Sequence, residues 1–182
     1  MTPKQGAKQI EGYDNYYIFD DGRLYSLHRG RFLKGFEQPN SNGRKYIQYI
    51  LFNKQKARKF FAHVLVAHYF IGPRPVQNEV PMEIDHIDGN SLNNNINNLR
   101  YCTKSCNSAN RGPQKNNSSG FKGVTKRDSR WYAQLVVRDG EEKKRKIHLG
   151  SFKSKIQAAK AYDREAYARW GEFAYLNFPD EV

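Results

Sequence analysis

The chain has 182 residues, with 31 Lys and Arg against 18 Asp and Glu, for a formal net charge of +13. That length holds one large domain or two to three small ones, and the charge calls for a polyanionic partner, nucleic acid first, because phosphates turn positive surface into affinity through counterion release. An aromatic content of 14% excludes a wholly disordered chain, no apolar run approaches the ~18 residues of a membrane span, and the only cysteines, Cys102 and Cys106, exclude a disulfide framework and suit a reducing, cytoplasmic setting.

The charge is unevenly distributed. Residues 1–75 carry +8, residues 76–112 carry −1 and residues 113–182 carry +6. Two basic arms therefore flank a nearly neutral centre, as expected if the arms hold a polyanion and the centre does something else. In chain order, Tyr16-Tyr17-Ile18-Phe19, the turn Asp20-Asp21-Gly22 and Arg23-Leu24-Tyr25-Ser26-Leu27 predict a hairpin. A second strand pair is predicted near Arg31–Phe36 and Arg44–Phe52, across a breaker run at 39–43. From Lys59 to Phe70 the spacing predicts a helix with Phe60, Val64, Ala67 and His68 on one face, stopped by Gly72-Pro73. Residues 111–120 contain no apolar side chain and read as a linker. Three strands follow near 121–126, 131–138 and 145–149, with a solvated hairpin tip at 141–145. A helix over roughly 154–170 is expected to turn Ile156, Ala159, Tyr162, Ala166 and Trp170 to the core. The expected fold class is α+β: a small β-rich N-terminal module (1–75), a central core (76–110), the linker, and a C-terminal three-stranded antiparallel sheet packed on one helix (121–182).

The centre holds the chemistry. Residues 81–110 contain eight asparagines, which a Gly- and Asn-rich turn would explain, since Asn bonds its own backbone in turns. A turn does not require Asp85-His86 before the loop or Asn107 after it. Asp85 and the amide oxygen of Asn107 are hard oxygen ligands suited to Mg²⁺ or Mn²⁺, and together they leave positive charge on the ion facing a phosphate. His86, neutral for much of the time at cellular pH, is suited to take a proton from water, with Asn98 accepting from one ring nitrogen. That set suits metal-assisted phosphodiester cleavage.

The order Asp85-His86, Asn98-Leu99-Arg100, Asn107 resembles the HNH endonuclease family with its ββα-metal fold. The separations, 12 residues from His86 to Asn98 and 21 from His86 to Asn107, are similar to those of its intron-encoded and phage homing branch, where the last His of the name is commonly Asn. The resemblance implies His86 as general base, Asn98 as its orienter, Asp85 and Asn107 as ligands of one divalent ion, and products ending in 5′-phosphate and 3′-hydroxyl. Residues 10–70 resemble the NUMOD-like DNA-binding module that accompanies these enzymes, in Ile10-Glu11-Gly12-Tyr13, Asp21-Gly22-Arg23-Leu24-Tyr25-Ser26 and His63-Val64-Leu65-Val66-Ala67, but lack the Trp usual near the start. The implied contacts there are Arg29, Arg31, Lys34, Arg44, Lys45 and Tyr46, with Arg100 beside the centre. Residues 120–178 resemble the Apetala/ethylene-response-factor DNA-binding domain, in Gly123-Val124, Trp131-Tyr132-Ala133, Leu149-Gly150-Ser151-Phe152, Ala158-Ala159-Lys160-Ala161-Tyr162-Asp163 and Leu176-Asn177-Phe178-Pro179. Its DNA-facing positions fall on Lys122, Thr125, Arg127, Val136, Lys146 and His148, while Lys126 and Arg130 suit phosphate. Trp131 suits either the core or DNA.

The expectation is a site-specific, metal-dependent DNA endonuclease of the homing type, a monomer that nicks one strand of double-stranded DNA in the cytoplasm of a prokaryotic or phage-infected cell. The alternatives are a DNA-binding regulator with an inactive HNH centre, and an RNA-binding protein whose basic sheets stack single strands. His63 and His68 read as packing histidines and the two cysteines as free thiols.

Overall fold

The computed structural model describes residues 6–54, 56–139 and 143–182, so residues 141 and 142 of the predicted hairpin tip lie outside the described residues. The architecture is α+β, as expected, and the chain divides into two compact units, 1–102 and 103–182. No helix among the described residues is long and apolar enough to cross a membrane.

The first unit is built from short antiparallel pairings. Strands β1 (Lys8–Ile10), β2 (Tyr13–Ile18), β3 (Leu24–Ser26) and β4 (Arg31–Phe32) form one sheet in that order. The predicted hairpin is β2–β3, closed by Gly22 N–H donating to Phe19 O at 3.1 Å, with Gly22 at φ +86°. That left-handed conformation is cheap only for glycine. Strands β5 (Phe36–Pro39), β6 (Lys45–Phe52) and β7 (Ala57–Phe61) form a second sheet. The helix expected from Lys59 is thus shorter: β7 runs to Phe61, and α1 (Ala62–Val66) continues as a π-helical turn over Ala67–Ile71. Pairing of Phe61 with Gln48 and Phe60 with Tyr49 claims those residues for the sheet, a non-local demand that overrides local periodicity. The buried face of the helical segment is Ala62, Leu65, Val66 and Ala67; Val64 is 43% exposed and His68 is also exposed. A two-residue pairing of β8 (Val76–Gln77) with β9 (Val80–Pro81) leads into β10 (Glu83–His86), which pairs with β11 (Leu99–Cys102). One core of Ile10, Ile18, Leu24, Leu51, Leu65, Val66 and Leu99, with Ile84 and Ile96 packed against it, spans the unit. The stretch expected as a separate module at 1–75 shares this core with β10 and β11.

The second unit opens with α2 (Lys104–Ala109), capped by Thr103, whose hydroxyl accepts from Cys106 N–H. Residues at the end of the expected linker are folded back on themselves. Asn117 Oδ1 accepts from the N–H groups of Ser119 and Gly120, both at 2.9 Å, and its Nδ2 donates to Phe121 O at 2.8 Å. Strands β12 (Val124–Arg127), β13 (Arg130–Asp139) and β14 (Lys143–Phe152) make the predicted antiparallel sheet, β12 shorter than expected and β13 and β14 longer. Along β13, Ala133, Leu135 and Val137 are buried while Tyr132, Gln134 and Val136 alternate outward. Helix α3 (Lys155–Trp170) starts at the Ser154 cap and buries Ala158, Ala159, Ala161, Tyr162, Asp163 and Ala166. Ile156, expected in the core, is 46% exposed; the alanine face lets the helix approach the sheet closely and leaves no room for it. Gly123, at φ +75°, lies so near the Tyr162 ring that a Cβ would overlap it. The buried Asp163 carboxylate accepts from Asn177 N (2.9 Å), Asn177 Nδ2 (2.9 Å) and Phe178 N (2.8 Å), tying the C-terminal segment to α3.

Candidate active site

The register of β10 and β11 sets Asp85 opposite Arg100 and His86 opposite Leu99. Both Asp85 and His86 are 4% exposed, at the end of β10 where the strand gives way to the loop 87–98. Arg100 Nε donates to Asp85 Oδ2 at 3.0 Å, so this arginine, expected at DNA, also holds the carboxylate.

The asparagine-rich loop is cross-tied. Asp88 Oδ1 accepts from Asn90 N (2.7 Å) and Asn98 Nδ2 (2.9 Å), and its Oδ2 accepts from Asn93 Nδ2 (2.8 Å). Asn98, 8% exposed, also accepts from Asp88 N at 3.0 Å and donates to Asn93 O at 2.9 Å. Burial pushes the Asp88 carboxyl up, but the bonds from Asn93, the Asn90 N–H and Asn98, with His86 nearby, together hold it below the usual carboxylate value. Asn98 therefore clamps the loop, while Asn94 reaches the imidazole: its Oδ1 lies 3.4 Å from His86 Nε2. The loop is also tied to the N-terminal strands, by Ile96 N donating to Asp20 O (2.7 Å) and Ser91 Oγ donating to Lys45 O (2.6 Å).

Aromatic rings surround His86. His63 stands edge-on with ring centroids 5.4 Å apart, and Tyr46 lies 6.3 Å away. His63 in turn meets Tyr46 at 5.2 Å and Phe61 at 5.5 Å, and its Nδ1 is buried without a hydrogen-bond partner. Burial, helped by the neighbouring His86, pushes the His63 imidazole down to about 3. Burial also lowers His86 below its ordinary value; Asn94, Asp88 and Asp85 pull it back up, and Arg44 adds to the lowering. Both rings are thus favoured as neutral imidazoles, the form a base requires.

Three of the four centre residues, Asp85, His86 and Asn98, come together on β10, the loop and β11. Asn107 lies on α2 in the second unit. Asn94 is what sequence reasoning missed, and His63, read as a packing histidine, packs its ring edge-on against His86. Asn94 sits in a run of like residues with no period to single it out, and His63 is two strands away in the chain.

Among the expected DNA contacts, Arg29, Arg31, Lys34 and Lys45 are exposed, and Arg44 and Tyr46 are half-buried. Lys45 Nζ pairs with Glu37 at 2.8 Å. On the outer face of the C-terminal sheet, Arg127, Lys146, His148 and Val136 are exposed, with Arg127 over the Tyr132 ring. Lys126 is exposed and lies over Trp131, which is half-buried and packs on the core below. Arg130, also exposed, donates to Ser151 Oγ (3.1 Å) and Ser151 O (3.0 Å). Lys122 turns inward instead. Its Nζ donates to Ala109 O beside the Tyr162 and Tyr175 rings, and burial, with Arg111 nearby, pushes it down to about 8. Thr125 is half-buried, with its hydroxyl enclosed and unpartnered.

The donor set for a divalent ion is of the hard-oxygen kind. Among the described residues no three or more His, Cys, Asp and Glu gather as a metal cluster. The Asp85 carboxylate is a hard oxygen donor of the kind Mg²⁺ takes, an ion that keeps several waters and draws the rest of its shell from phosphate.

The segment that carries these residues is similar to known proteins. The family described as HNH endonuclease matches residues 60–109. A mimivirus protein from Acanthamoeba polyphaga mimivirus, described as an uncharacterized HNH endonuclease, is 36% identical over 95 residues, 52% of this chain and 22% of its own length. The DNA endonuclease I-HmuI of Bacillus phage SP01 is 36% identical over 101 residues, covering 55% of this chain and 53% of that protein. A solved structure titled for DNA binding and cleavage by the HNH homing endonuclease I-HmuI aligns with a TM-score of 0.47 and 34% identity, over 58% of this chain and 57% of that one. The dehydration-responsive element-binding protein 2A of Oryza sativa is 36% identical over 78 residues, 42% of this chain and 27% of that protein. The chain spans about half or less of the length of these relatives. Residues 60–109 thus resemble the HNH endonuclease family, and part of the chain is similar to plant element-binding proteins.

Proposed function

We propose that the protein is a site-specific, divalent-metal-dependent DNA endonuclease of the homing type, acting as a monomer that nicks one strand. The observation that carries this reading is the buried His86 at the end of β10, next to the Asp85–Arg100 pair and inside the matched HNH segment. His86 is the general base and takes a proton from the attacking water. Asp85 and Asn107 are the residues that would hold one Mg²⁺ or Mn²⁺, whose charge offsets that of the phosphate under attack. Arg100 keeps the Asp85 carboxylate in place. Asn98 serves the base through the loop: by tying Asp88 and Asn93 it fixes the segment that follows His86.

The DNA-gripping surfaces in this reading are two. The first is the basic set Arg29, Arg31, Lys34, Arg44, Lys45 and Tyr46 on the N-terminal strands. The second is the outer face of the C-terminal sheet, with Lys126, Arg127, Arg130, Lys146 and His148, supported by the similarity to the plant element-binding proteins. Lys122 contributes less, since its ammonium is engaged by Ala109 O. Unlike modules on one chain suit a long asymmetric target rather than a palindrome read by a two-fold dimer.

The test is cleavage of supercoiled DNA carrying a candidate target. Mg²⁺ or Mn²⁺ is expected to support nicking and a chelator to abolish it. His86→Ala is expected to bind the target but not cut; cutting at the wild-type rate by that variant refutes the assignment. Run-off mapping on both strands distinguishes a nick from a double-strand break.

A further inference from the structure

We propose that Asn94 is a positioning residue that fixes the tautomer of His86, and that the glycine turn of the N-terminal hairpin is its backstop. The inference rests on the reading of His86 as the base. Asn94 is 5% exposed, and its Nδ2 donates to Leu92 O at 3.0 Å. That bond decides which end of the amide is which, so the atom 3.4 Å from His86 Nε2 is the oxygen. An amide oxygen only accepts. Nε2 therefore carries the hydrogen, and the lone pair of the imidazole is placed on Nδ1. The 3.4 Å separation is long, as catalytic hydrogen bonds often are before substrate binds.

Asn94 occupies the space that a side chain at Gly22 would need. A Cβ built on Gly22 would stand 2.6 Å from Asn94 Cβ, closer than real side chains approach. The turn itself cannot yield easily: Tyr49 Oη donates to Gly22 O at 3.1 Å, and Asp20 O is held by Ile96 N at 2.7 Å. The N-terminal hairpin thus does more than grip DNA; its tip sets the base.

The first readout is independent of cutting. Long-range ¹H–¹⁵N spectra of the imidazoles in the full chain, at alkaline pH, are expected to show His86 as the Nε2–H tautomer. Asn94→Ala should convert it to a mixture, and Asn94→Asp, which keeps an acceptor, should retain it. A wild-type His86 with its hydrogen on Nδ1 overturns the proposal. The second readout is kinetic. Gly22→Ala is expected to lower kcat by up to roughly 100-fold, because small displacements of a reacting group are costly, with KM for DNA unchanged. Gly12→Ala controls for backbone strain, since Gly12 also has positive φ (+72°) but faces open space, and should leave kcat alone. In an Asn94→Gly background, which vacates the Cβ, Gly22→Ala should cost no further kcat. Equal losses from Gly12→Ala and Gly22→Ala, or additive losses in the double variant, refute the backstop. If Gly22→Ala does not fold, the tautomer spectra of the two Asn94 variants still decide. If His86→Ala cuts normally, the assignment of the base fails, while the spectra report separately on the Asn94 contact.

Discussion

Replacing Asn98 by alanine tests whether this residue clamps the loop that follows the base. The side chain makes three hydrogen bonds: Oδ1 accepts from Asp88 N (3.0 Å), and Nδ2 donates to Asp88 Oδ1 (2.9 Å) and Asn93 O (2.9 Å). Alanine leaves the Asp88 N–H and the Asn93 carbonyl unmet. Neutral bonds contribute about 1 kcal/mol each and a bond to a carboxylate somewhat more, but Asp88 is exposed and water replaces part of the loss, so about 2–3 kcal/mol of destabilisation is expected. The midpoint of urea unfolding should fall with its slope unchanged. The Asp88 carboxyl should also titrate higher, because the bond from Asn98 is one of those holding it below the usual value. A depressed carboxyl stabilises above its unfolded pKa and loses that contribution as pH falls through the folded one, so the variant should lose less stability than wild type on acidification through that window. Cutting should fall through kcat while DNA binding is kept. A variant as stable as wild type, with an unchanged Asp88 titration, refutes the clamp.

Three other outcomes follow from the same structure. His63 is held neutral down to about 3 against an ordinary 6.5, so the unfolded chain takes up a proton that the folded chain refuses, and stability should fall as pH drops through that window. By about pH 4.5 the loss should reach at most roughly 2–3 kcal/mol; His63→Phe should flatten that part of the stability profile, and an unaltered slope contradicts the burial of its Nδ1. Asp163→Ala removes a carboxylate 1% exposed that accepts three N–H donors, and should cost about 3–5 kcal/mol in denaturant unfolding of the C-terminal unit. Lys126→Ala and Arg127→Ala should each weaken target binding and reduce the slope of log affinity against log salt by about 0.9, the mark of one lost phosphate contact; an unchanged slope for both removes that edge of the sheet from the DNA face.

Local chemistry made much of the molecule legible in the residues themselves. The β2–β3 hairpin was readable because Asp20-Asp21-Gly22 is turn chemistry between alternating strands, and α3 because a Ser cap and an alanine-rich run precede Gly171. That Asp85, His86 and Asn98 belong together was suggested by the order and spacing of polar residues, which are present in the chain whatever surrounds them. The helix at Lys59 was misplaced because its first residues are claimed by pairing with β6, and Ile156 because two faces of an alanine-rich helix look alike until a sheet chooses one.

The sequence by itself determined that two basic arms flank a neutral centre bearing an HNH-like set of residues, since charge and residue order are properties of the chain. Only the tertiary structure decided that Asn94 reaches the His86 ring, that His63 stands edge-on beside it, that Lys122 turns inward, and that the N-terminal hairpin is tied to the loop 87–98. Gly22 and Asn94 are more than seventy positions apart, yet a Cβ added at Gly22 would stand 2.6 Å from Asn94 Cβ, a closeness set by packing that no local pattern encodes.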